Sequence, residues 1–341
     1  MINATQDEIM SKWPKEWNVP LVSIRSITYN HEPYISQALD GFLMQKTDFP
    51  FEIVVHDDAS TDKTADIIRA YEKKYPQIIK PIYEIENQYS KNDGSIGRKM
   101  NPLLTGKYIA FCEGDDFWID PQKLQKQVDF LENNPDYGMC YTDFNIFTQK
   151  NNATQYSCFA NQPQKYPTEY SLQGWIENAG YVAPMTWVVR RELWFDAAKQ
   201  SVKSPDGTFV LFAFFLFHSK VFCLKNETTA TYRVLEESAV HSKSLEKLYT
   251  RMKSLHLAKR NVAILYLKNN ELTDALKTIN RKYYRIGLKL FVAMNDAEEI
   301  EASYKWVTAT KSQMLLRIIS RIRLLRFLYN KTYRLYLKRR T

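Results

Sequence analysis

Two clusters of carboxylates, each directly after a short apolar run, are the residues of this sequence best placed to do chemistry. They are Asp57 and Asp58 after "FEIVVH" (51–56), and Glu113, Asp115 and Asp116 after "GKYIAFC" (106–112). Crowded carboxylates repel one another unless a cation lies among them. A hard divalent cation such as Mg²⁺ or Mn²⁺ would relieve the repulsion, using one or two carboxylates and the oxygens of a substrate phosphate. The clusters therefore predict a metal site that serves a phosphate-bearing ligand.

Each cluster also has a structural interpretation. Residues 57–62 ("DDASTD") suit the start of a helix, where Asp and Ser cap free backbone amides. Residues 113–116 ("EGDD") would suit an acidic turn. For the first cluster both interpretations stay open, and the presence of two clusters favours the functional one for the second.

The elements that must position these carboxylates alternate between strand and helix patterns. The predicted strands are residues 21–27, 51–56, 78–84, 106–112 and 137–147, with helical patterns between them. Such alternation predicts an α/β fold with right-handed crossovers and a mostly parallel sheet flanked by helices. In an open parallel sheet, ligands bind outside the carboxyl ends of the strands. Both acidic clusters should therefore face one crevice.

The rest of the chain divides by pattern. The first predicted helix has apolar residues at i, i+3, i+4, i+7 and i+8, namely Ile35, Ala38, Leu39, Phe42 and Leu43. Residues 148–180 are polar and turn-rich, and residues 182–194 return to a strand and a helix. The apolar run 209–217 is too short to span a bilayer and predicts a buried helix. From Leu245 onward the pattern is helical, which places a boundary near residue 244.

Cysteine usage and the first residues indicate a compartment. The four cysteines lie far apart with no C-x-x-C pair, which argues against a zinc site or a secreted disulfide framework. The N-terminal segment is polar and mixed in charge, unlike a signal peptide. We therefore expect a cytoplasmic protein.

The net charge of +9 is concentrated at one end of the chain. Residues 311–341 contain ten Lys and Arg and no Asp or Glu, so the remainder is close to neutral. This distribution favours an anionic surface contacted by the tail over nucleic acid. At helical spacing one face of the tail is apolar: Leu315, Ile318, Ile319, Ile322, Leu325 and Tyr329. A basic amphipathic helix is typical of peripheral binding to anionic lipid, and a packed helix of a C-terminal bundle or a dimer contact is the alternative.

Three stretches in order, "PLVSIRSITYNHEPYISQALDGFLMQ", "FEIVVHDDASTDKTADII" and "GKYIAFCEGDDFWIDPQKLQKQVDFLENNPDY", resemble the family-two glycosyltransferases of the GT-A fold. Those enzymes are often found in bacterial cell-surface polysaccharide assembly. The resemblance covers about residues 19 to 240. It implies a GT-A domain over residues 19–244, after an N-terminal extension (1–18) and before a helical C-terminal region (245–341).

The resemblance implies a metal-dependent, inverting hexosyltransferase that moves a sugar from a nucleotide-diphosphate sugar to a hydroxyl of a glycan or lipid-linked acceptor. By position, the residues implied to bind the donor nucleoside are Thr28, Tyr29, Asn30, Glu32, Asp57 and Asp58. Asp115 and Asp116 match the metal-binding aspartates of the family, and Glu113 stands where Asp is commoner. The cofactor is Mg²⁺ or Mn²⁺, which would stabilise the diphosphate leaving group.

Inverting transfer needs a carboxylate that accepts the proton of the acceptor hydroxyl. Asp206, at the start of the apolar helix, matches the catalytic aspartate of the family. The alternative is that Asp206 only caps that helix, with Pro205 and Gly207 forming a turn. Glu192 and Asp196 are weaker candidates because their helical spacing is typical of solvated charges.

Several basic and aromatic side chains are candidates for the donor phosphates and sugar. Arg233 and His241 lie in a segment that resembles the closing segment of the family, where a basic or polar side chain approaches the diphosphate. Arg98 is a further candidate, although a solvated basic turn explains it equally well. Trp118 and Trp187 would either stack on a sugar or lie in the core.

Other functional classes are less consistent with the sequence, mostly because it lacks the motifs that they require. A sugar-nucleotide nucleotidyltransferase would need a Gly-rich phosphate loop, and "SITYNHEPY" has no glycine. The absence of G-x-G-x-x-G after the first strand and of G-x-x-x-x-G-K-[ST] disfavours a dehydrogenase and a P-loop enzyme. A phospho-acceptor signalling domain would leave the second acidic cluster unexplained. A catalytically silent module that binds sugar nucleotides or glycans differs only in lacking activity.

Overall fold

A computed structural model describes residues 3–180, 182–199, 204, 206–235, 244–306 and 311–339. The chain forms two compact units. The first unit comprises Met1–Tyr170, Tyr181–Gln200 and Phe214–Leu235. The second unit comprises Ser171–Gly180, Ser201–Ala213 and Glu236–Thr341. The helical C-terminal region therefore shares its unit with two short segments from earlier in the chain.

Among the described residues, one sheet of nine strands forms the centre of the first unit. The strands are β1 (Val22–Thr28), β2 (Phe51–Asp57), β3 (Ile79–Tyr83), β4 (Tyr108–Phe111), β5 (Phe117–Trp118), β6 (Tyr137–Thr148), β7 (Ala153–Gln155), β8 (Val188–Arg190) and β9 (Lys220–Val234). Their order is β3-β2-β1-β4-β8-β6-β9-β5, and β7 pairs with β6.

The predicted α/β class is confirmed. Strands β3, β2, β1 and β4 are parallel, as their alternation with helices predicts. Beyond them β8 pairs antiparallel with β4 and β6, and β9 lies parallel to β6. The sequence did not predict β5 or β9. In β9, "KVFCLKNETTATYRV" mixes charged and apolar residues without a continuous apolar run, because much of the strand is only partly buried.

The helices of the described chain lie in both units. They are α1 (Gln6–Met10), α2 (Ile35–Leu43), α3 (Thr64–Lys74), α4 (Ser95–Met100), α5 (Lys123–Asn133), α6 (Cys158–Asn161), α7 (Leu172–Asn178), α8 (Arg191–Ala198), α9 (Gly207–His218), α10 (Leu245–Tyr266), α11 (Asn269–Met294), α12 (Ala297–Trp306), α13 (Lys311–Arg321) and α14 (Arg323–Arg339). The turn-rich region 148–180 thus contains β7, α6 and α7.

Burial of the predicted apolar positions holds the first unit together. All five apolar positions predicted for α2 are at most 1% exposed. Strand β2 is buried along its whole length. The N-terminal extension packs onto it through Trp13, whose ring lies 5.2 Å from that of Phe51 and whose Nε1 donates to Thr47 Oγ1 (3.1 Å). Burial of aromatic surface at about 25 cal/mol per Å² stabilises this contact.

The second unit is helical, as predicted from Leu245 onward. Its larger core cluster consists of Tyr283, Leu288, Phe291, Val292, Ile300 and Leu316. In the segments that precede residue 214, Trp175 of α7 lies 6.1 Å from Phe209 of α9, with the rings stacked, and its Nε1 donates to Phe209 O (2.9 Å). The apolar run 209–217 is the body of α9, and Phe209 and Phe212 are at most 2% exposed.

The basic tail forms α13 and α14, which are interrupted at Ile322, instead of one continuous helix. Its predicted apolar face is divided between two environments. Ile319 and Tyr329 pack against the core cluster of the second unit. The remaining members of that face are exposed: Leu315, Ile318, Ile322 and Leu325. One side of the tail therefore packs within the second unit, as the bundle interpretation predicts, and the other side is exposed. Within the described residues, no helix has the length and apolar character needed to cross a membrane.

A lysine is enclosed in the core of the first unit. Lys123, the first residue of α5, is fully buried, and its Nζ donates to Gln127 Oε1 and to Thr186 O (3.4 Å). The ammonium also lies 4.6 Å from the ring centroid of Trp118. Desolvation lowers the pKa of Lys123 to about 7, and negative charge on Cys112 or Cys140 would oppose that shift. Lys123 is thus partly neutral at physiological pH.

This pKa makes stability depend on pH in a defined direction. An unfolded lysine keeps its proton up to about pH 10.5, whereas folded Lys123 loses it above about pH 7. Between these values the unfolded state binds more protons, so the free energy of unfolding rises with pH by up to about 1.4 kcal/mol per pH unit. From pH ~7 to ~9 the wild type should gain roughly 2 kcal/mol relative to Lys123→Met in urea unfolding. If the free energies of unfolding of the wild type and of Lys123→Met changed with pH in parallel, this prediction would be refuted. The control is Lys46→Met, at an exposed position, whose pH dependence of stability should follow that of the wild type.

Candidate active site

The carboxyl ends of β1, β2 and β4 bring the two acidic clusters to one edge of the sheet. Thr28 and Asp57, the last residues of β1 and β2, are partners in the strand register. After β4 ends, the chain stays bonded to β1, because Gly114 N donates to Ile27 O (2.9 Å). The end of β1 therefore lies between Asp57 on one side and residues 113–116 on the other.

The loops after β1 and β2 are joined by hydrogen bonds that backbone amides of one loop donate to side-chain oxygens of the other. Thr61 N donates to Asn30 Oδ1 (2.8 Å), and Asn30 N donates to Ser60 Oγ (2.9 Å). Glu32 N donates to Asp62 Oδ2 (3.0 Å), and Glu32 Oε2 accepts from the amide of residue 63 (3.2 Å). Asn30 and Glu32, both predicted donor-binding residues, thus fix the wall of the site beside Asp57. Tyr29, which precedes Asn30, is 44% exposed.

Asp57 and Asp58 have different surroundings. Both oxygens of Asp58 accept backbone hydrogen bonds, from Gln88 N (2.6 Å) and Tyr89 N (3.0 Å). In Asp57 only Oδ2 has a described partner, Ser60 N at 3.3 Å, and Oδ1 is buried without one. The Asp58 carboxylate therefore holds the segment at residues 88–89, while Asp57 keeps an oxygen for another partner.

Glu113 points back towards β1. Its Oε2 accepts from Ile27 N (3.0 Å), and Arg25 is the nearest opposite charge that acts on it. Desolvation raises the pKa of Glu113, and Arg25 opposes that shift. The extra methylene of Glu relative to Asp suits this reach to the strand backbone. In this arrangement Glu113 supports the loop.

Asp115 and Asp116 also differ. Asp116 is buried, and its Oδ1 accepts from Arg233 N (2.8 Å). Desolvation and then repulsion by Asp115 raise the pKa of Asp116 well above its usual range. Within the described chain no group donates a hydrogen bond to the Asp115 carboxylate. Asp115 is therefore the carboxylate of this cluster with the greatest capacity for an external ligand.

Arg233 is the cation fixed against this loop. Its Nε donates to Asp115 O (2.8 Å), and its two terminal nitrogens donate to Gln149 Oε1 (2.7 Å) and Gln37 Oε1 (2.6 Å). Three rings surround the guanidinium at 4.8–5.4 Å: Tyr34, Phe117 and Phe147. Desolvation lowers the pKa of Arg233, and Tyr34 and the two aspartates oppose that shift. Isolated glutamines carry no spacing signal, so the sequence could not identify Gln37 and Gln149.

His31 is a further neighbour that the sequence did not assign. Desolvation lowers its pKa, and Asp115, Asp62 and Asp57 oppose that shift, so carboxylates of both clusters act on its ring. Several buried polar atoms at or near this edge have no hydrogen-bond partner among the described residues, among them Ser26 Oγ, Thr28 Oγ1, His31 Nδ1 and Asp57 Oδ1. Buried polar groups without partners are costly, which indicates a site built for water or a ligand.

The arrangement fits a divalent cation bound together with a phosphate-bearing ligand. No group of three or more His, Cys, Asp or Glu in the part of the chain that the structure describes could hold a metal by itself. Mg²⁺ does not require such a group, because it commonly uses one or two carboxylates with waters and substrate phosphates. Asp115 and the second oxygen of Asp116 are suitable ligands of this kind, whereas Glu113 is turned to Ile27.

The remaining predicted residues lie in varied positions. Arg98 donates to the carbonyl and carboxylate of Asp93 in an exposed pair, which matches the basic-turn interpretation. Trp118 and Trp187 are buried in the core. Glu192 and Asp196 belong to α8, and Asp196 pairs with Lys199 (2.8 Å). His241 lies outside the described residues.

Asp206 belongs to the second unit. Its Oδ1 accepts from Phe209 N (3.2 Å), so it caps α9, and its Oδ2 lies 3.9 Å from Arg251 Nη2. The side chain is 37% exposed. One oxygen thus performs the predicted capping role, and the other lies near the guanidinium of Arg251.

Comparison with known proteins agrees with this geometry. Residues 23–195 match the family model described as glycosyl transferase family 2. A relative of uncharacterised function from Mycobacterium tuberculosis is 46% identical over 125 residues, which cover 35% of this chain and 34% of that protein. The chain thus spans about a third of the length of this curated relative.

Two solved structures share the fold. TarS of Staphylococcus aureus in complex with UDP-GlcNAc superposes with a TM-score of 0.59 at 19% identity, over 93% of this chain and 91% of that one. A mannosyltransferase of Pyrobaculum calidifontis in complex with GDP-Man and Mn²⁺ superposes with a TM-score of 0.57 at 14% identity, over 94% and 86% of the two chains. At this identity the likeness concerns the fold.

Gly114 leaves no room for a side chain at the junction of β1 and β4. A Cβ there would lie 2.6 Å from Thr28 Oγ1, 2.7 Å from Thr28 Cβ and 3.0 Å from His31 Nδ1. Gly114→Ala should therefore lower the free energy of unfolding by roughly 1–3 kcal/mol in urea titrations. Gly97→Ala is the matched control, because its nearest neighbour is 4.0 Å away within α4. Equal stability of the two variants would contradict the predicted crowding.

Proposed function

The chain belongs to glycosyl transferase family 2 and is a glycosyltransferase, and from this premise we propose that it transfers a sugar from a nucleotide-diphosphate sugar to a glycan or lipid-linked hydroxyl. We further propose that transfer depends on a divalent metal and inverts the anomeric carbon. The single observation that carries the proposal is the Asp115 carboxylate beside buried polar atoms that lack described partners.

The donor nucleoside would bind at the end of β1. Thr28 Oγ1 and Asp57 Oδ1 are both buried there without described partners, and the nucleoside can supply hydroxyl and ring N–H groups to them. Asn30, Glu32 and Asp58 would act by holding the surrounding backbone. The UDP-GlcNAc and GDP-Man bound to the two structural neighbours support a nucleotide-sugar donor without selecting a base.

Mg²⁺ or Mn²⁺ would be held by Asp115 and by the free oxygen of Asp116. When bound, such a cation neutralises the donor diphosphate and so stabilises it as a leaving group. Arg233 would position the loop. Its Nε, Nη1 and Nη2 donate hydrogen bonds to Asp115 O, Gln149 Oε1 and Gln37 Oε1, respectively. The neighbour with bound Mn²⁺ supports this metal class.

Asp206 is proposed as the general base. No hydrogen bond from the helix that Oδ1 caps reaches Oδ2, and the side chain is 37% exposed. In the transfer step it would accept the proton of the acceptor hydroxyl as that oxygen attacks the anomeric carbon. Capping through Oδ1 fixes the direction of the carboxylate.

Two aspartate variants separate donor binding from transfer. Asp115→Asn should lose metal-dependent stabilisation by UDP-GlcNAc or GDP-mannose in thermal unfolding, and donor turnover with it. Asp206→Asn should keep that stabilisation and lose turnover by about 10²–10⁴-fold, the usual contribution of a general base. Exposed Asp129→Asn is the control and should behave as the wild type. The proposal would be refuted if the wild type responded to none of UDP-GlcNAc, GDP-mannose and other UDP- and dTDP-sugars, with or without Mn²⁺. Normal transfer by Asp206→Asn would refute the assignment of Asp206 as the general base.

We also propose that the tail binds the anionic surface of a membrane. Many apolar residues of α13 and of the first half of α14, and Ile322 between them, are exposed: Met314, Leu315, Ile318, Ile322, Leu324, Leu325, Phe327 and Leu328. Arg321 and Lys331 are exposed among them, and residues 311–341 contain no acidic side chain. Apolar insertion combined with basic contacts is the physical requirement for peripheral binding to anionic lipid.

Exposed positions allow this to be tested without disturbing the core. The double variants Leu315→Gln/Ile318→Gln and Arg321→Gln/Lys331→Gln should each reduce co-sedimentation with phosphatidylglycerol vesicles several-fold, because they remove the apolar and the charge contribution respectively. Phosphatidylcholine vesicles and the exposed variant Lys46→Gln are the controls. Unchanged binding in both double variants, or a loss of self-association in place of lipid binding, would contradict the membrane assignment.

A further inference from the structure

A cavity of about 590 Å³ lies at the edge of the central sheet opposite to the candidate active site. Its lining includes Leu21, Pro50 and Lys107, which directly precede β1, β2 and β4. The two acidic clusters follow the other ends of these strands. Because β1 and β2 are seven residues long, at about 3.3 Å per residue the cavity lies roughly 20 Å from those clusters. The whole lining belongs to the first unit, and the volume is typical of a small-molecule site.

One part of the lining is apolar and includes an aromatic side chain that is partly exposed. Pro20, Phe49 and Pro50 are buried there. Trp17 is half-buried, and its ring lies 5.6 Å from that of the buried Trp13 at an angle of 86°. Trp17 Nε1 has no hydrogen-bond partner among the described residues. Trp13 therefore holds an indole that still has surface area and an N–H donor for a ligand.

The other part of the lining is polar, and Arg191 and Glu192 at the start of α8 carry its open hydrogen-bonding groups. Arg191 N donates to Lys107 O (3.0 Å) and Arg191 Nη1 to Thr105 O (3.1 Å), which fixes the side chain. The guanidinium lies 5.8 Å from the ring centroid of Phe195. Its Nε and Nη2 donate to no described residue, and no described carboxylate pairs with it. Glu192 is exposed, and its carboxylate has no partner in the described chain.

The remaining cations of the lining are already engaged. Lys107 pairs with Glu132 (2.8 Å). Arg190 donates to Tyr137 O (2.8 Å) through Nε and to Leu131 O (2.7 Å) through Nη2. The open hydrogen-bonding capacity of the cavity is therefore mixed: a guanidinium and an indole as donors, and a carboxylate as acceptor.

This mixture of groups limits the chemical class of the ligand. A wholly apolar molecule would desolvate Arg191 and Glu192 without providing hydrogen bonds in place of those to water. A simple anion would bond to Arg191 but would be repelled by Glu192. A saccharide suits both, because each hydroxyl donates one hydrogen bond and accepts others, and the C–H face of a sugar ring packs on an aromatic side chain.

We propose that this cavity is a saccharide-binding site, in which a sugar ring packs against Trp17 while its hydroxyls bond to Arg191 and Glu192. The site goes beyond the proposed function, because it lies away from the donor and takes no part in the transfer step. Its use by the enzyme rests on that function: the site would hold a sugar unit of a glycan acceptor remote from the reacting hydroxyl. Holding one part of a chain raises the effective concentration of its other parts at the enzyme.

Calorimetric titration of the whole chain with neutral oligosaccharides tests the proposal. The probes are maltohexaose, mannohexaose and chitohexaose, and the donor site is first saturated with Mn²⁺ and UDP or GDP. At least one probe should bind with a Kd of about 1 mM or lower. Trp17→Ala and Arg191→Met should each weaken that binding roughly tenfold or more, because they remove the apolar contact and the charged hydrogen bonds respectively. Trp17→Phe should retain most of the affinity.

Lys199→Met, an exposed change directly after α8, is the matched control and should bind the probe as the wild type does. Thermal stabilisation by donor and Mn²⁺ is measured on every variant and should equal that of the wild type, which shows that the first unit is folded. The inference is overturned if the wild type binds no probe, or if Trp17→Ala and Arg191→Met both bind it as the wild type does. Neither result bears on the proposed function, which fails separately if the wild type shows no donor response.

Discussion

The burial of the carboxylates that follow β4 is the constraint on which the candidate active site depends. A buried carboxylate is unstable unless hydrogen bonds or a cation replace its hydration. Glu113 obtains an amide of β1 and the field of Arg25, and Asp116 obtains the amide of Arg233. Asp115 obtains no such donor from the described residues. The protein thus satisfies two carboxylates itself and leaves the third for what binds there.

The parts of the fold that could be predicted from sequence are those with a strong apolar pattern. Strands β2 and β4 are buried and consist mainly of apolar residues, and their position before acidic residues identified the ligand edge. Strand β9 was missed because its partial burial leaves charged residues within the strand. It nevertheless supplies Arg233, which was found through a family resemblance and whose partners have no local signal. The location of β9 and the partners of Arg233 depend on contacts between residues that are distant in the sequence, which a local sequence pattern does not reveal.

Residues of the same type within one motif have different hydrogen-bond partners, because their side chains lie in different surroundings. Asp57 and Asp58 are adjacent in sequence, but alternation along the strand end turns one towards the site and gives the other the amides of residues 88–89. In the second unit the two oxygens of Asp206 have separate partners: Oδ1 caps α9, and Oδ2 lies 3.9 Å from Arg251 Nη2. The two oxygens of one carboxylate must therefore be considered separately when a role is assigned to such a residue.

The bonds between the loops after β1 and β2 have a consequence for the thermodynamics of ligand binding. Asn30, Glu32 and Asp62 hold backbone amides across the two loops in the folded protein itself. The conformational entropy of ordering these loops is therefore lost during folding, when burial of the sheet compensates for it. A ligand that arrives at a wall already in place does not bear that loss, so more of its contact energy remains as affinity.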